Sequence, residues 1–449
     1  MVGEYFAANE NSEFKKEKFM KKTFVLIILV NLLLPFKILA EPPFNFNDYF
    51  ADKTMRVDFF MTGDANEQTI TLDAVYQQGR WPGNPHKTID DLNLGGYYVK
   101  VYDVATNRLI FSRGFNCIFF EYRTTGPAKK GVKRTFHESA LIPYPHRPIL
   151  FVIESRDKLN LLHPAFIHKI DPEDTAIKRC ESDPNDRVFD IMINGDCHDK
   201  VDFLFLAEGY TAEEVEKFRS DAERFTEILF DMEPYKSHKS RFNVRAVMRP
   251  SAESGVDEPD RNISRNTVMD ASANALDTPR YMLINNNKAM QDIAANAPYD
   301  AILIAANISR YTNGGIYNRY CIFAVDNRRA AAICPHEFGH SFAGLADEYF
   351  GRDDTLSEFY PRGVEPLEPN ITALLNPESP KWKHLIKPGT PIPTVPDPND
   401  PNKIGVFEGA GYTAKGLYRP MDRCIMRSGR EYCQVCREGI IRVIDHLSN

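Results

Sequence analysis

Val201-Asp202-Phe203-Leu204-Phe205-Leu206, with Thr211-Ala212-Glu213-Glu214-Val215 a few residues on, sets the architecture of the second half of the chain. The first six residues form a nearly continuous apolar run, the pattern of a strand covered on both faces. Thr211 and Glu214 make a T-x-x-E capping box. Behind it Val215, Phe218, Ala222, Phe225 and Leu229 recur on one face of the helix that the box opens. Phe242–Met248, Tyr299–Ala306 and Cys321–Val325 read as further strands with helical segments between them. Strands alternating with helices predict a three-layer α/β domain over residues 187–449.

Upstream the rhythm has period two. Ile70, Leu72 and Ala74 alternate with Thr69, Thr71 and Asp73, and Tyr97, Val99 and Val101 with Tyr98, Lys100 and Tyr102. Turn signals at Gly79-Arg80-Trp81-Pro82-Gly83, Gly95-Gly96 and Ala105-Thr106-Asn107 separate these segments. The expectation is an antiparallel β-sandwich over residues 41–165. Periodicity then fades, and Asp171-Pro172-Glu173-Asp174 and Ser182-Asp183-Pro184-Asn185-Asp186 mark a linker at 166–186. The fold class expected is α+β, in two domains.

Phe24 to Leu34 is apolar apart from Asn31, is preceded by Lys21 and Lys22, and is followed by Pro35 and Lys37. This is the layout of a signal peptide, too short and wrongly flanked for a membrane helix. It predicts a leader over residues 1–40 with the true start at Met20, cleavage near Ala40, and export to the periplasm or the medium. No stable membrane span is expected once the leader is removed. The 449-residue chain carries a formal net charge of -7. Residues 1–40 hold six lysines against four glutamates, so their removal would leave about -9. No basic stripe follows the leader, which argues against a nucleic-acid partner.

The chemistry concentrates in His336-Glu337-Phe338-Gly339-His340. Two imidazoles four residues apart on a helix project from one face and can grip a single Zn²⁺ ion. Glu337, beside the first ligand, is placed to work on a water rather than on the metal. A third protein ligand must follow. Gly344 can end the helix in a left-handed turn, after which Asp347 is the preferred ligand and Glu348 its rival. Pro335 fits best where the helix starts or kinks. Cys424, Cys433 and Cys436 contain one C-x-x-C, for which redox chemistry, a second metal and a disulfide are all open, with a structural disulfide the best reading for an exported chain. Cys334 reads as a small buried residue rather than a nucleophile.

The string His336 to Tyr349, together with Gly405-Val406-Phe407-Glu408-Gly409-Ala410-Gly411-Tyr412 and Tyr418-Arg419-Pro420, resembles the bacterial IgA-peptidase family of zinc metallopeptidases, a metzincin-like group. The resemblance implies a metzincin-like peptidase domain preceded by a sandwich, and a protein or peptide substrate. It also implies that Met426 lies in the turn beneath the zinc; Tyr418 and Arg419 could approach the site and stabilise the oxyanion, with surface or structural roles equally open. The general metzincin spacing places glycine three residues after the second histidine, whereas Gly344 stands four after His340; the glycine-to-ligand gap leading to Asp347 is kept. The expected activity is hydrolysis of peptide bonds by a zinc-bound water with Glu337 as general base. Two other classes stay open: a zinc hydrolase of a cell-wall or glycan-linked amide, and a glycan- or protein-binding protein with a vestigial zinc site.

Overall fold

The computed structural model describes residues 44–179, 183–351 and 359–449. The leader expected over residues 1–40 and Cys180 lie outside the described residues. Phe46–Asn449 form a single compact unit.

The chain enters through a short helix α1 (Phe46–Tyr49) and builds two four-stranded sheets. The first joins β1 (Phe50–Gly63), β2 (Gln68–Gln77), β5 (Arg134–Pro145) and β8 (Lys178–Arg179) in the order β5-β1-β2-β8. The second joins β3 (Tyr97–Asp103), β4 (Leu109–Phe115), β6 (Ile149–Arg156) and β7 (Leu162–Ile170) in the order β4-β3-β6-β7. Every pairing is antiparallel except β2 with β8. Strand β7 runs to Ile170, past the point where the sequence loses its alternation. It lies at a sheet edge with most of its side chains exposed or half-buried, so no apolar alternation marks it. Two short helices, α2 (Ile118–Tyr122) and α3 (Gly126–Lys129), bridge β4 to β5.

The second half is organised by a six-stranded sheet of order β15-β16-β14-β10-β11-β9. Its strands are β9 (Arg187–Met192), β10 (Val201–Glu208), β11 (Phe242–Met248), β14 (Ala301–Ala306), β15 (Asn313–Ile316) and β16 (Tyr320–Ala324), with the small hairpin β12 (Ala271–Ala273) and β13 (Met282–Ile284) set beside it. The four inner strands are parallel and the two edges antiparallel. All eight residues of β10 are buried, as the apolar run requires. Phe203 and Phe205 face a core shared with α4 (Val215–Phe230), α6 (Ala330–Ala343) and α7 (Gln434–Leu447), while Leu204 and Leu206 face a second core with α5 (Asn287–Ala294). Helices thus cover both faces of the sheet. The capping box forms, with Thr211 N–H donating to Glu214 Oε2 at 2.8 Å. The stripe Phe218, Ala222, Phe225 and Leu229 is fully buried behind it, and each of its three large side chains contributes about 1.5–3 kcal/mol. A final hairpin, β17 (Phe407–Ala410) and β18 (Thr413–Arg419), lies before α7.

The N-terminal sheets dock on the segment between β15 and β16, directly behind α6. Arg319 reaches Glu138 on β5 at 2.5 Å and donates to Ser139 O at 2.7 Å. Asn116 N–H donates to Tyr317 O at 3.0 Å, and Asn318 joins the halves from both sides through Gly114 O and Ser341 O.

Candidate metal centre

Helix α6 begins at Ala330, five residues before Pro335, and not at the proline itself. Ala330, Ala331 and Ala332 are strong helix formers and start it. Pro335 then sits inside the helix and removes the donor that the carbonyl of Ala331 would otherwise take. The hydroxyl of Tyr432 donates to the carbonyl of Pro335 from α7's side. At the other end Gly344 adopts φ 56°, ψ 34°, the left-handed conformation that favours glycine. Gly344 N–H donates to His340 O and Leu345 N–H to Gly339 O, both at 3.1 Å, which turns the chain back toward the histidines.

That reversal brings Asp347 to them. His336 Nε2 and His340 Nε2 are 3.2 Å apart, and Asp347 Oδ1 lies 3.2 Å from the first and 3.4 Å from the second. Donor atoms at about 2.0–2.1 Å from a tetrahedral zinc stand about 3.3 Å from one another, so the three atoms already form a face of such a site. The ring orientation is fixed by backbone. His336 Nδ1 donates to Ile425 O at 2.9 Å and His340 Nδ1 to Leu345 O at 2.6 Å, which turns both Nε2 lone pairs inward. Asp347 Oδ1 is buried and has no hydrogen-bond partner, while Oδ2 accepts from Tyr412 Oη at 2.6 Å. A buried carboxylate oxygen converging with two aimed imidazole nitrogens is a donor set that fits a divalent cation.

The electrostatics agree. Burial alone would raise the Asp347 carboxyl, but His340 and His336 outweigh it and hold it well below the usual carboxylate range. Burial alone would lower His340, but Asp347 beside it wins and raises the imidazole to about 9; His336 moves in the same direction for the same reasons.

Glu337 lies on the same helix with a carboxylate oxygen 3.9 Å from His336 Nε2, and its Oε1 accepts from Asn313 Nδ2 on β15. Met426 is fully buried. A Cβ on Gly339 would meet its sulfur at 2.9 Å, so the glycine between the two histidine turns is what admits the methionine.

Glu348, the rival ligand, points away. Its Oε1 accepts from Asn370 Nδ2 at 3.0 Å and lies 3.2 Å from Cys436 Sγ. These contacts hold Glu348 among the cysteines while Asp347 Oδ1 stays with the histidines. Tyr418 does not line the cavity that holds the histidines. It sits on β18, its backbone bonded to Thr372, and the neighbouring Arg419 is a strap that donates to Glu408 O, Gly409 O and Asp422. The tyrosine that donates to Asp347 Oδ2 is Tyr412, held at φ 67°, a conformation uncommon for a side-chain-bearing residue. The sequence showed it only as the last residue of the string Gly405 to Tyr412. Asn313 was likewise visible only as part of a strand. Among the described residues Cys424, Cys433 and Cys436 form no disulfide: Cys436 Sγ lies 3.6 Å from each of the other two sulfurs, against about 2.05 Å for a bond. Cys334 is buried and unreactive in its surroundings.

The centre opens into a cleft of about 1600 Å³. Its walls include Asn313, Gly315 and Tyr349 from the second half and Phe120, Glu121 and Arg123 from the N-terminal half. Burial pushes the Glu121 carboxyl up to about 7. Among the described residues no helix is long and apolar enough to cross a membrane.

Comparison with protein families gives two matches. The family described as IgA Peptidase M64 matches residues 189–400 and 395–444, and that described as Peptidase M64 N-terminus matches residues 45–167. No curated protein matches the chain.

Proposed function

The chain belongs to the IgA peptidase M64 family and is on that ground a metallopeptidase, and from this premise we propose that it is an exported zinc endopeptidase with its ion held by His336, His340 and Asp347. The observation that carries the reading is the triangle of Nε2, Nε2 and Oδ1 at 3.2–3.4 Å with Oδ1 unsatisfied. On this reading the first half is a β-sandwich, the second is metzincin-like, and Met426 is the methionine of the turn beneath the metal.

A zinc ion bound there supplies a Lewis acid for the scissile carbonyl and makes a water more acidic. Glu337 takes the proton of the attacking water and returns it to the leaving amine nitrogen. Asn313 holds Glu337 in the rotamer that this requires. Tyr412 fixes Asp347 through Oδ2 and so keeps Oδ1 turned toward the imidazoles. β15 is one of the two edge strands of the six-stranded sheet and borders the cleft through Asn313 and Gly315, with the Asn313 N–H already taken by Arg280 O. The size of the cleft suits a polymer rather than a small amide.

Casein digestion by the full chain tests the reading, before chelation, after chelation, and after zinc is restored. Cleavage that is lost and regained supports it. Absence of cleavage from zinc-replete protein sinks it and favours the cell-wall amide hydrolase or the binding-protein alternative.

A further inference from the structure

We infer that the chain holds a second, structural zinc ion, bound by Cys424, Cys433, Cys436 and Glu348. One ligand atom from each lies within 4.8 Å of all the others, and all four residues are buried. Cys436 Sγ stands 3.6 Å from Cys424 Sγ and from Cys433 Sγ, and Glu348 Oε1 is 3.2 Å from Cys436 Sγ and 4.0 Å from Cys433 Sγ. In a tetrahedral site with zinc–sulfur bonds of about 2.3 Å, sulfurs stand about 3.8 Å apart and a carboxylate oxygen about 3.5 Å from each. These four distances match four of the six edges of that tetrahedron, and the other two pairs lie within 4.8 Å. They are too far apart for any disulfide, and three thiols cannot all pair among themselves.

Two further observations point to a cation. Glu348 Oε2 is buried without a hydrogen-bond partner, and a buried carboxylate left so costs free energy unless a positive charge meets it. The surroundings are also built for thiolates. Cys433 is the N-cap of α7 and Cys436 lies in its first turn, at the positive end of a 14-residue helix. Cys433 N–H donates to Cys424 Sγ at 3.4 Å, and the tight turn after Cys424 sends three amides, from Arg427, Ser428 and Gly429, to Cys424 O. Sulfur-rich tetrahedral donors select zinc over hard cations. On binding, each thiol releases its proton to solvent and Glu348 binds as the anion.

The ion would pin the residue after Asp347 to the turn that carries Met426. Glu348 N–H already donates to Met426 O at 2.8 Å. The site is therefore a clamp on the peptidase centre, but its occupancy does not depend on catalysis.

The test is elemental analysis of the full chain beside His336→Ala/His340→Ala and Cys433→Ser/Cys436→Ser. We expect each variant to lose one of two zinc equivalents and to keep the other. Since the cysteine variant can fail to fold, cobalt is also exchanged into the histidine variant. A thiolate-to-cobalt charge-transfer band there, weakened in Glu348→Gln on the same background, supports the cluster. Zinc that vanishes entirely with the histidines, absence of the band, or a disulfide joining any two of the three cysteines in non-reducing peptide maps would overturn it. Loss of casein cleavage in any of these samples bears on the peptidase reading and leaves the metal count untouched.

Discussion

Tyr412 donates its hydroxyl to Asp347 Oδ2 at 2.6 Å, which leaves Oδ1 alone to face the two imidazoles. The hydroxyl thus decides which oxygen is free. Tyr412→Phe should keep the fold, because the ring packing against Tyr349 survives. Loss of an outer hydrogen bond of this kind weakens metal binding about 10–100-fold. Competition with a chromophoric chelator measures it, and unchanged affinity would show that Asp347 is oriented by other contacts.

Glu337→Gln should retain zinc at the histidine site and lower kcat by about 10²–10⁴-fold, the usual worth of a positioned general base. The substitution keeps the shape, and the amide can still meet Asn313. Zinc content and casein turnover on one preparation check both halves of the statement; full activity would remove Glu337 from its role.

The metal-free protein should lose stability as pH rises from neutral. His340 is raised to about 9 in the fold, against an ordinary value of about 6.5. The stabilisation from its ion pair with Asp347 is fully present below about 6.5 and is lost as pH climbs through about 9. His336 adds to the effect in the same sense. Calorimetry on chelated protein between about pH 6 and 10 should show the decline, with a flatter profile in His340→Gln. Zinc affinity should rise over the same range, because fewer protons compete for the ligands.

Arg319→Met should destabilise the protein by about 3–5 kcal/mol, since it strands Glu138 in the interior without its cation. Denaturant unfolding measures the change. A second substitution, Glu138→Gln, should recover much of it, and failure to do so would place the energy in the Ser139 and Asn287 contacts instead.

What the sequence revealed was whatever rests on local pattern. β10, β11, β14 and β16 are buried strands and read as apolar runs; the capping box at Thr211 announces α4; and the four-residue spacing of His336 and His340 needs only helical geometry. Expectations failed where tertiary contacts decide. Nothing in the chain's order tells Tyr412 from Tyr418, because the choice depends on how the β17–β18 hairpin lies against Asp347. The three cysteines suggested a disulfide because Glu348, far away in sequence, is invisible as their partner. Pro335 suggested a helix start or a kink; Ala330–Ala332 begin the helix earlier, and the proline lies within it. Asp347 and Glu348 were separable only once the turn at Gly344 fixed which of them faces the histidines.

On the peptidase reading, the cleft wall contributed by Phe120, Glu121 and Arg123 would give the N-terminal half a say in what is bound. A lineage could change what it digests by editing that short helix while leaving every ligand and base untouched. The same wall makes the halves poor candidates for exchange between relatives: a chimera would inherit one parent's scissors and the other parent's grip.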